Sequence, residues 1–197
     1  MDYLEQELIL ASASPRRKEL LEQIGAKFTI IPSGIDEGKL VLEGEPHEKT
    51  KALALIKARD VAEKVKKGLV LGADTIVVID GQIYGKPIND QHAYEMLKSL
   101  SGRCHQVITG VALVDAATGF YLTDYEKTDV YFSCIDDDEI REYINSGEAM
   151  GKAGAYAIQG KGALFVEKIN GCYSNVVGLP IFLLKKMLKI FCKKEEI

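Results

Sequence analysis

"LVLGADTIVVIDGQIYGKP" (residues 69–87) decides the fold. Residues 69–79 are apolar except at Gly72, Asp74 and Thr75. A run of that kind, bounded by turn signals, predicts a central strand buried on both faces. Asp80-Gly81 is a hairpin-type turn, and residues 82–85 lead the chain back. Asp74 is the odd member. A carboxylate inside a buried strand is costly unless it is paired, hydrogen-bonded or holding a metal. It either caps neighbouring backbone or stands at a cleft as a metal ligand or general base.

The elements on either side set the class. Upstream, a helix from Pro46 to about Lys67 carries Ala54, Ala58, Val61, Ala62 and Val65 at helical spacing and stops at Gly68. Before it come a strand at residues 6–12, a helix from Pro15 to about Ile24, and a short strand "FTIIP" (28–32). "GIDEGKLVLEGE" (34–45) is a polar loop punctuated by glycine. Downstream, Asn89 or Asp90 caps a helix that runs to about Leu100 and ends at Ser101-Gly102. "QVITGVALVD" (106–115) and "TDVYFSCI" (128–135) read as strands paired around "AATG". Asp136 with Glu139 resembles a capping box opening a helix that ends at Gly147. "GKAGAYAIQGKG" (151–162) leads to a strand "ALFVEKI", an Asn170-Gly171 turn and a last helix from Pro180. This order implies an α/β protein with a mixed sheet, because hairpins exclude a purely parallel one. No repeat, low-complexity segment or linker interrupts it.

The formal net charge of −4 over 197 residues excludes a generic nucleic-acid coat, so any anion site must come from local clustering of cations. The acidic start "MDYLEQELIL" has neither the basic region nor the long apolar core of a secretion signal. No apolar run approaches the ~20 residues of a membrane span. Four widely spaced cysteines without a C-x-x-C pair are expected to be free thiols, and a reducing cytoplasm is their simplest home.

Such a cluster exists near the N-terminus. In "SASPRRKELL" (12–21), Ser14 holds the N-cap position and Pro15 the first helical one, yet Arg16, Arg17 and Lys18 crowd the positive end of the helix dipole. Either these cations point into water, or a phosphate group reverses the sign of the interaction. Asp36 and Glu37 are solvated loop acids or a second carboxylate for the same site. Lys86, before Pro87, is a surface turn residue or a cleft cation. Lys57 interrupts an Ala/Leu/Ile-rich helix, and either snorkels or faces the cleft. The four glycines of residues 151–162 let backbone approach a ligand. His47, His92 and His105 lack ligand spacing and are assigned to surface or capping roles. Walker, Rossmann and G-x-S-x-G patterns are all missing. The final helix, with "KKMLKIFCKK", is basic and amphipathic and is read as core-packed rather than membrane-bound.

"SASPRRKELL", "GADTIVVIDGQIYGKP", "SGRCHQVITGVAL" and "GKAGAYAIQGKGALFVEKINGCYSNVVGLP", in that order, resemble the motifs of the Maf nucleoside triphosphate pyrophosphatases over residues 7–184. The resemblance implies an elongated mixed β-sheet with flanking helices, like that of inosine triphosphate pyrophosphatases. It implies a single domain over residues 1–197 with two lobes around a central cleft. The implied reaction hydrolyses a nucleoside triphosphate to monophosphate and pyrophosphate with a divalent cation, Mg or Mn. It puts Ser12, Ser14, Arg16 and Arg17 near the phosphates, and makes Asp74 the proton acceptor beside Thr75. Glu37, next to Asp36, joins Asp74 at the metal, and Lys57 and Lys86 face the phosphates as catalytic cations. "KAGAYAIQG" is similar to the subgroup acting on dTTP and UTP, and on modified pyrimidine nucleotides. Arg16, Thr75 and Gln159 are then the specificity positions. A Gln159 amide offers one donor face and one acceptor face, complementing uracil or thymine and mismatching cytosine. Cys104 and Gly151 depart from the subgroup pattern without touching an assigned position. A homodimer is implied by the resemblance alone. Two rivals are a sensor that binds a triphosphate without cleaving it and a purine-nucleotide pyrophosphatase.

Overall fold

The computed structural model describes residues 7–195, so the reading of the acidic start falls largely outside the described residues. The chain forms two compact units that interleave in sequence: Met1–Asp74, Thr109–Glu126 and Gly178–Ile197 make the first, and Thr75–Ile108 with Lys127–Val177 the second.

In the first unit, β1 (Leu8–Leu10) lies between β2 (Phe28–Ile30) and β3 (Leu69–Ile79) and runs parallel to both, with Leu8 opposite Phe28 and Leu69. β5 (Cys104–Asp115) and β6 (Tyr121–Phe132), whose halves toward their connecting turn belong to this unit, follow β3 in the strand order. The hairpin between β5 and β6 makes the sheet mixed, as expected. Helix α1 (Pro15–Gln23) ends at Gly25, where φ is +66° and the amides of Gly25 and Ala26 close back onto Glu22 and Leu21. Helix α2 (Pro46–Ala62) lies directly on the strands. A Cβ at residue 72 would overlap the Ala54 carbonyl oxygen, and one at residue 110 the Thr50 backbone. Ala54, Ala58 and Val61 pack there against Ile9, Val70 and Ala112.

In the second unit, β4 (Gln82–Tyr84) pairs antiparallel with the end of β3, Val77 opposite Tyr84, around a turn with Asp80 at φ 50° and Gly81 at 77°. Asn89 caps α3 (Asp90–Leu100) by accepting from the His92 amide. Asp136 and Glu139 form the expected capping box on α4 (Asp137–Asn145). β7 (Val166–Asn170) pairs antiparallel with β6. A short helix α5 (Tyr173–Val177) precedes α6 (Ile181–Glu195). In α6, Leu183, Leu184, Met187, Leu188 and Phe191 are buried while Phe182 and Ile190 face outward, so the helix is core-packed. No helix among the described residues is long and apolar enough to cross a membrane.

Several expected boundaries moved. α2 stops at Ala62 rather than Lys67, because the Lys64 amide turns back to Val61 and Gly68, at φ +109°, feeds β3 alongside β1. Val65 mimicked helical periodicity by reaching the same core from the turn. β6 begins at Tyr121, seven residues before the apolar signal. Among the described residues its first half has β5 on one side only, since β7 pairs with Asp129–Phe132, and such an edge carries charges such as Asp124 and Glu126. It also ends at Phe132 rather than residue 135, where the Ser133 amide bonds the Phe165 carbonyl. Residues 160–165 form a 3-10 turn with Leu164 outward, so β7 starts three residues late, and α5 was not foreseen. The assignment of all three histidines to surface or caps fails for His105. It is 1% exposed, bonded through Nε2 to the Tyr156 hydroxyl at 2.8 Å, and edge-on to Phe132 and Tyr156. Burial lowers its pKa to about 4 and raises that of Tyr156.

Candidate active site

Asp74 sits in β3 beside α2, and the glycine contact that lets the helix settle on the strand brings Lys57 down to it. The Lys57 ammonium donates to Asp74 Oδ1 at 2.7 Å and pairs with Glu37 Oε1 at 2.9 Å. Lys57 and Asp74 are 8% and 7% exposed, so the lysine faces inward and does not snorkel. A buried pair of this kind adds little net stability, while losing one partner costs about 3–5 kcal/mol. That imbalance points to a use beyond folding.

Glu37 comes from a 3-10 turn, Glu37–Lys39, that orders part of the polar loop. The two loop acids divide the work: Asp36 accepts from the Gly38 amide at 3.2 Å and pairs with Lys39 at 3.1 Å, leaving Glu37 to reach Lys57.

The cations of α1 do not all point into water. Arg17 Nε donates to the Gly178 carbonyl at 2.8 Å and Nη1 to Ser12 Oγ at 3.1 Å, which fixes the plane of the guanidinium. Ser12 Oγ also accepts from the Ser14 amide at 3.2 Å. Ser14 stands at the N-cap without a side-chain cap bond. Burial lowers the Arg17 pKa, Arg16 pushes it the same way, and the charges of Asp74 and Glu37 oppose both. The guanidinium remains a cation. Ser12, Arg17, Glu37, Lys57 and Asp74 therefore form one continuous charged cluster in the first unit, with Arg16 half-buried beside it. Such a cluster can grip a chain of phosphates and hold a carboxylate next to them.

Thr75 follows Asp74 on the same strand and is half-buried. Lys86 and Gln159 belong to the second unit: Lys86 is exposed after β4, and Gln159 is half-buried at the head of the 160–165 turn. The glycines around Gln159 serve close packing within that unit. A Cβ at residue 162 would overlap the Ala157 carbonyl oxygen, and residue 154, at φ +67°, lies against Val77. Glu148 accepts from the Lys161 amide at 3.0 Å and holds the far end of the loop. The Gly178 carbonyl and Glu148 were not found from sequence. The first is a backbone atom with no side-chain signature, and the second is one acid among many.

No group of three or more His, Cys, Asp or Glu suited to a metal occurs among the described residues. Glu37 and Asp74, two hard oxygen donors sharing one ammonium partner, fit Mg or Mn of the kind that completes its shell with substrate phosphates.

The family described as Maf-like protein matches residues 7–191. A dTTP/UTP pyrophosphatase of Ruminiclostridium cellulolyticum is 57% identical over 182 residues, 92% of this chain and 94% of that protein. One from Clostridium tetani is 50% identical, covering 91% and 96%. Among solved structures, a HAM1 protein from Coxiella burnetii is similar at a TM-score of 0.45 and 20% identity, over 64% of this chain and 73% of that one.

Proposed function

Since the chain belongs to the Maf-like protein family, we propose that it hydrolyses dTTP and UTP to the monophosphate and pyrophosphate. The observation that carries the reading is the buried Lys57–Asp74 pair, reached by the exposed Glu37 and joined to an Arg17 held by Ser12 and Gly178. Relatives named for this activity, matched nearly end to end, support the choice of nucleotide.

In this reading water attacks the α-phosphorus and the Asp74 carboxylate orients it and takes its proton. Lys57, hydrogen-bonded to Asp74, holds that carboxylate in place. Arg16, Arg17 and the amides of the α1 N-terminus receive the triphosphate, with Ser12 and Ser14 fixing the turn that presents them. Lys86 adds positive charge on the departing pyrophosphate. Glu37 and Asp74 would hold a divalent cation, Mg or Mn, whose chemistry is to neutralise phosphate charge and polarise the reacting phosphoryl group. Arg16, Thr75 and Gln159 select the base, the Gln159 amide matching the uracil or thymine edge. The partner is a nucleotide rather than a nucleic acid, the place of work the cytoplasm, and the assembly a homodimer.

Phosphorus NMR of a panel of UTP, dTTP, CTP, GTP and ATP with Mg or Mn tests this. UTP and dTTP should give monophosphate and pyrophosphate while CTP persists. Nucleoside diphosphate plus inorganic phosphate, or equal turnover of all five, would refute it. Gln159→Ala should erode the preference for UTP over GTP.

A further inference from the structure

Lys57 is more than a positioning group for Asp74. Its ammonium lies 2.7 Å from Asp74 Oδ1 and 2.9 Å from Glu37 Oε1, and it is 8% exposed. It already occupies the place where the two carboxylates converge. Arg17, with Arg16 beside it, feels the charges of both carboxylates. Three cations against two carboxylates leave this pocket with one positive charge in excess. We propose that Lys57 is the resident counter-cation of Glu37 and Asp74, and that it makes divalent-metal binding conditional on the phosphate chain of the nucleotide.

A divalent ion arriving alone must compete for oxygens already bonded to an ammonium, inside a pocket that is positive and partly desolvated. It finds no third His, Cys, Asp or Glu ligand grouped there among the described residues. Mg in particular gives up its water reluctantly without strong oxygen donors. A polyphosphate supplies both missing components at once, namely oxygen ligands and enough negative charge to reverse the sign of the pocket. Arg16 and Arg17 then turn to the phosphates, and Lys57 and the metal can share the two carboxylates. Metal and phosphate chain therefore enter together, and little metal stays when the chain leaves as product. The inference deepens the proposed function and rests on its phosphate-binding part, but not on which base is read.

The test follows Mn binding by the EPR signal of the free hydrated ion, on the intact protein. The three conditions are no addition, a UTP analogue with a non-hydrolysable α–β bridge, and inorganic tripolyphosphate. Wild type should bind Mn at least tenfold more weakly alone than with either addition, after correction for Mn held by the free additive. Lys57→Met, which keeps the stem and removes the charge, should bind Mn at least tenfold more tightly than wild type with nothing added. Lys57→Arg should behave as wild type. Equal Mn affinity of wild type with and without the phosphate chain overturns the proposal, as does a Lys57→Met variant, folded by circular dichroism, that gains no affinity. If Lys57→Met does not fold, the wild-type comparison alone decides. If tripolyphosphate promotes Mn binding and the UTP analogue does not, the nucleotide assignment fails and the role of Lys57 stands.

Discussion

Asp74 and Lys57 hold each other at 2.7 Å, and both are buried. Asp74→Asn keeps the shape and removes the carboxylate proposed to accept the proton, so kcat should fall about 10²–10⁴-fold with a smaller change in KM, measured as pyrophosphate release. Arg17→Lys keeps the charge but loses the fork that reaches Gly178 and Ser12 together. Its KM for UTP should rise about tenfold, a loss of about 1.4 kcal/mol in binding. His105 supplies a pH signature elsewhere. Its pKa is about 4 in the fold against 6.5 unfolded, so the unfolded chain binds the extra proton more readily. The stability it contributes is complete above pH 6.5 and is lost as pH falls toward 4, by up to about 3 kcal/mol. Urea titrations from pH 7 to 4 should show a shallower loss in His105→Gln than in wild type; parallel slopes would contradict the assignment. At this scale legibility depended on contrast. Asp74 stood out against an apolar run, and Arg16 and Arg17 against a helix end that ordinarily prefers acids. His105 had no contrast, and the acceptor for Arg17 is a carbonyl 161 residues away.

α2 can place Lys57 only because glycine in β3 and β5 lets the helix backbone touch the sheet. Gly110→Ala drives a methyl into the Thr50 backbone, so it should cost about 1–3 kcal/mol or more and lower kcat as Lys57 moves away from Asp74. Asp136→Ala removes a capping box outside the charged cluster. It should cost about 1 kcal/mol, a fall of roughly 2–4 °C in melting temperature, with kcat/KM unchanged. Element ends with chemical marks were legible: Asn89, Asp136 and the glycine after α1 all act as their types suggest. Ends set by tertiary pairing were not. α2 is shortened by the need to deliver Leu69 beside Leu8, and the charged half of β6 hides its strand character because it is an edge.

For the molecule as a whole, no linker could be read because the two units exchange chain inside secondary structure: three crossings lie within β3, β5 and β6. The mixed α/β class was legible from the order of elements, while the interleaving depends on long-range pairing that leaves no local trace. All four cysteines are free, with Cys104 and Cys134 exposed. A thiol reagent should modify these two first in the native protein, and reductant should leave the melting temperature unchanged. A chain of net charge −4 gathers Arg16, Arg17 and Lys57 around two carboxylates, and the proposed function has the triphosphate bind to that local excess of positive charge. Turnover of UTP in ¹⁸O-labelled water, followed by phosphorus NMR and mass spectrometry, tests that claim most directly. The label should appear in UMP and not in pyrophosphate, as attack on the α-phosphorus beside Asp74 requires. Label in pyrophosphate, or release of UDP, would contradict it.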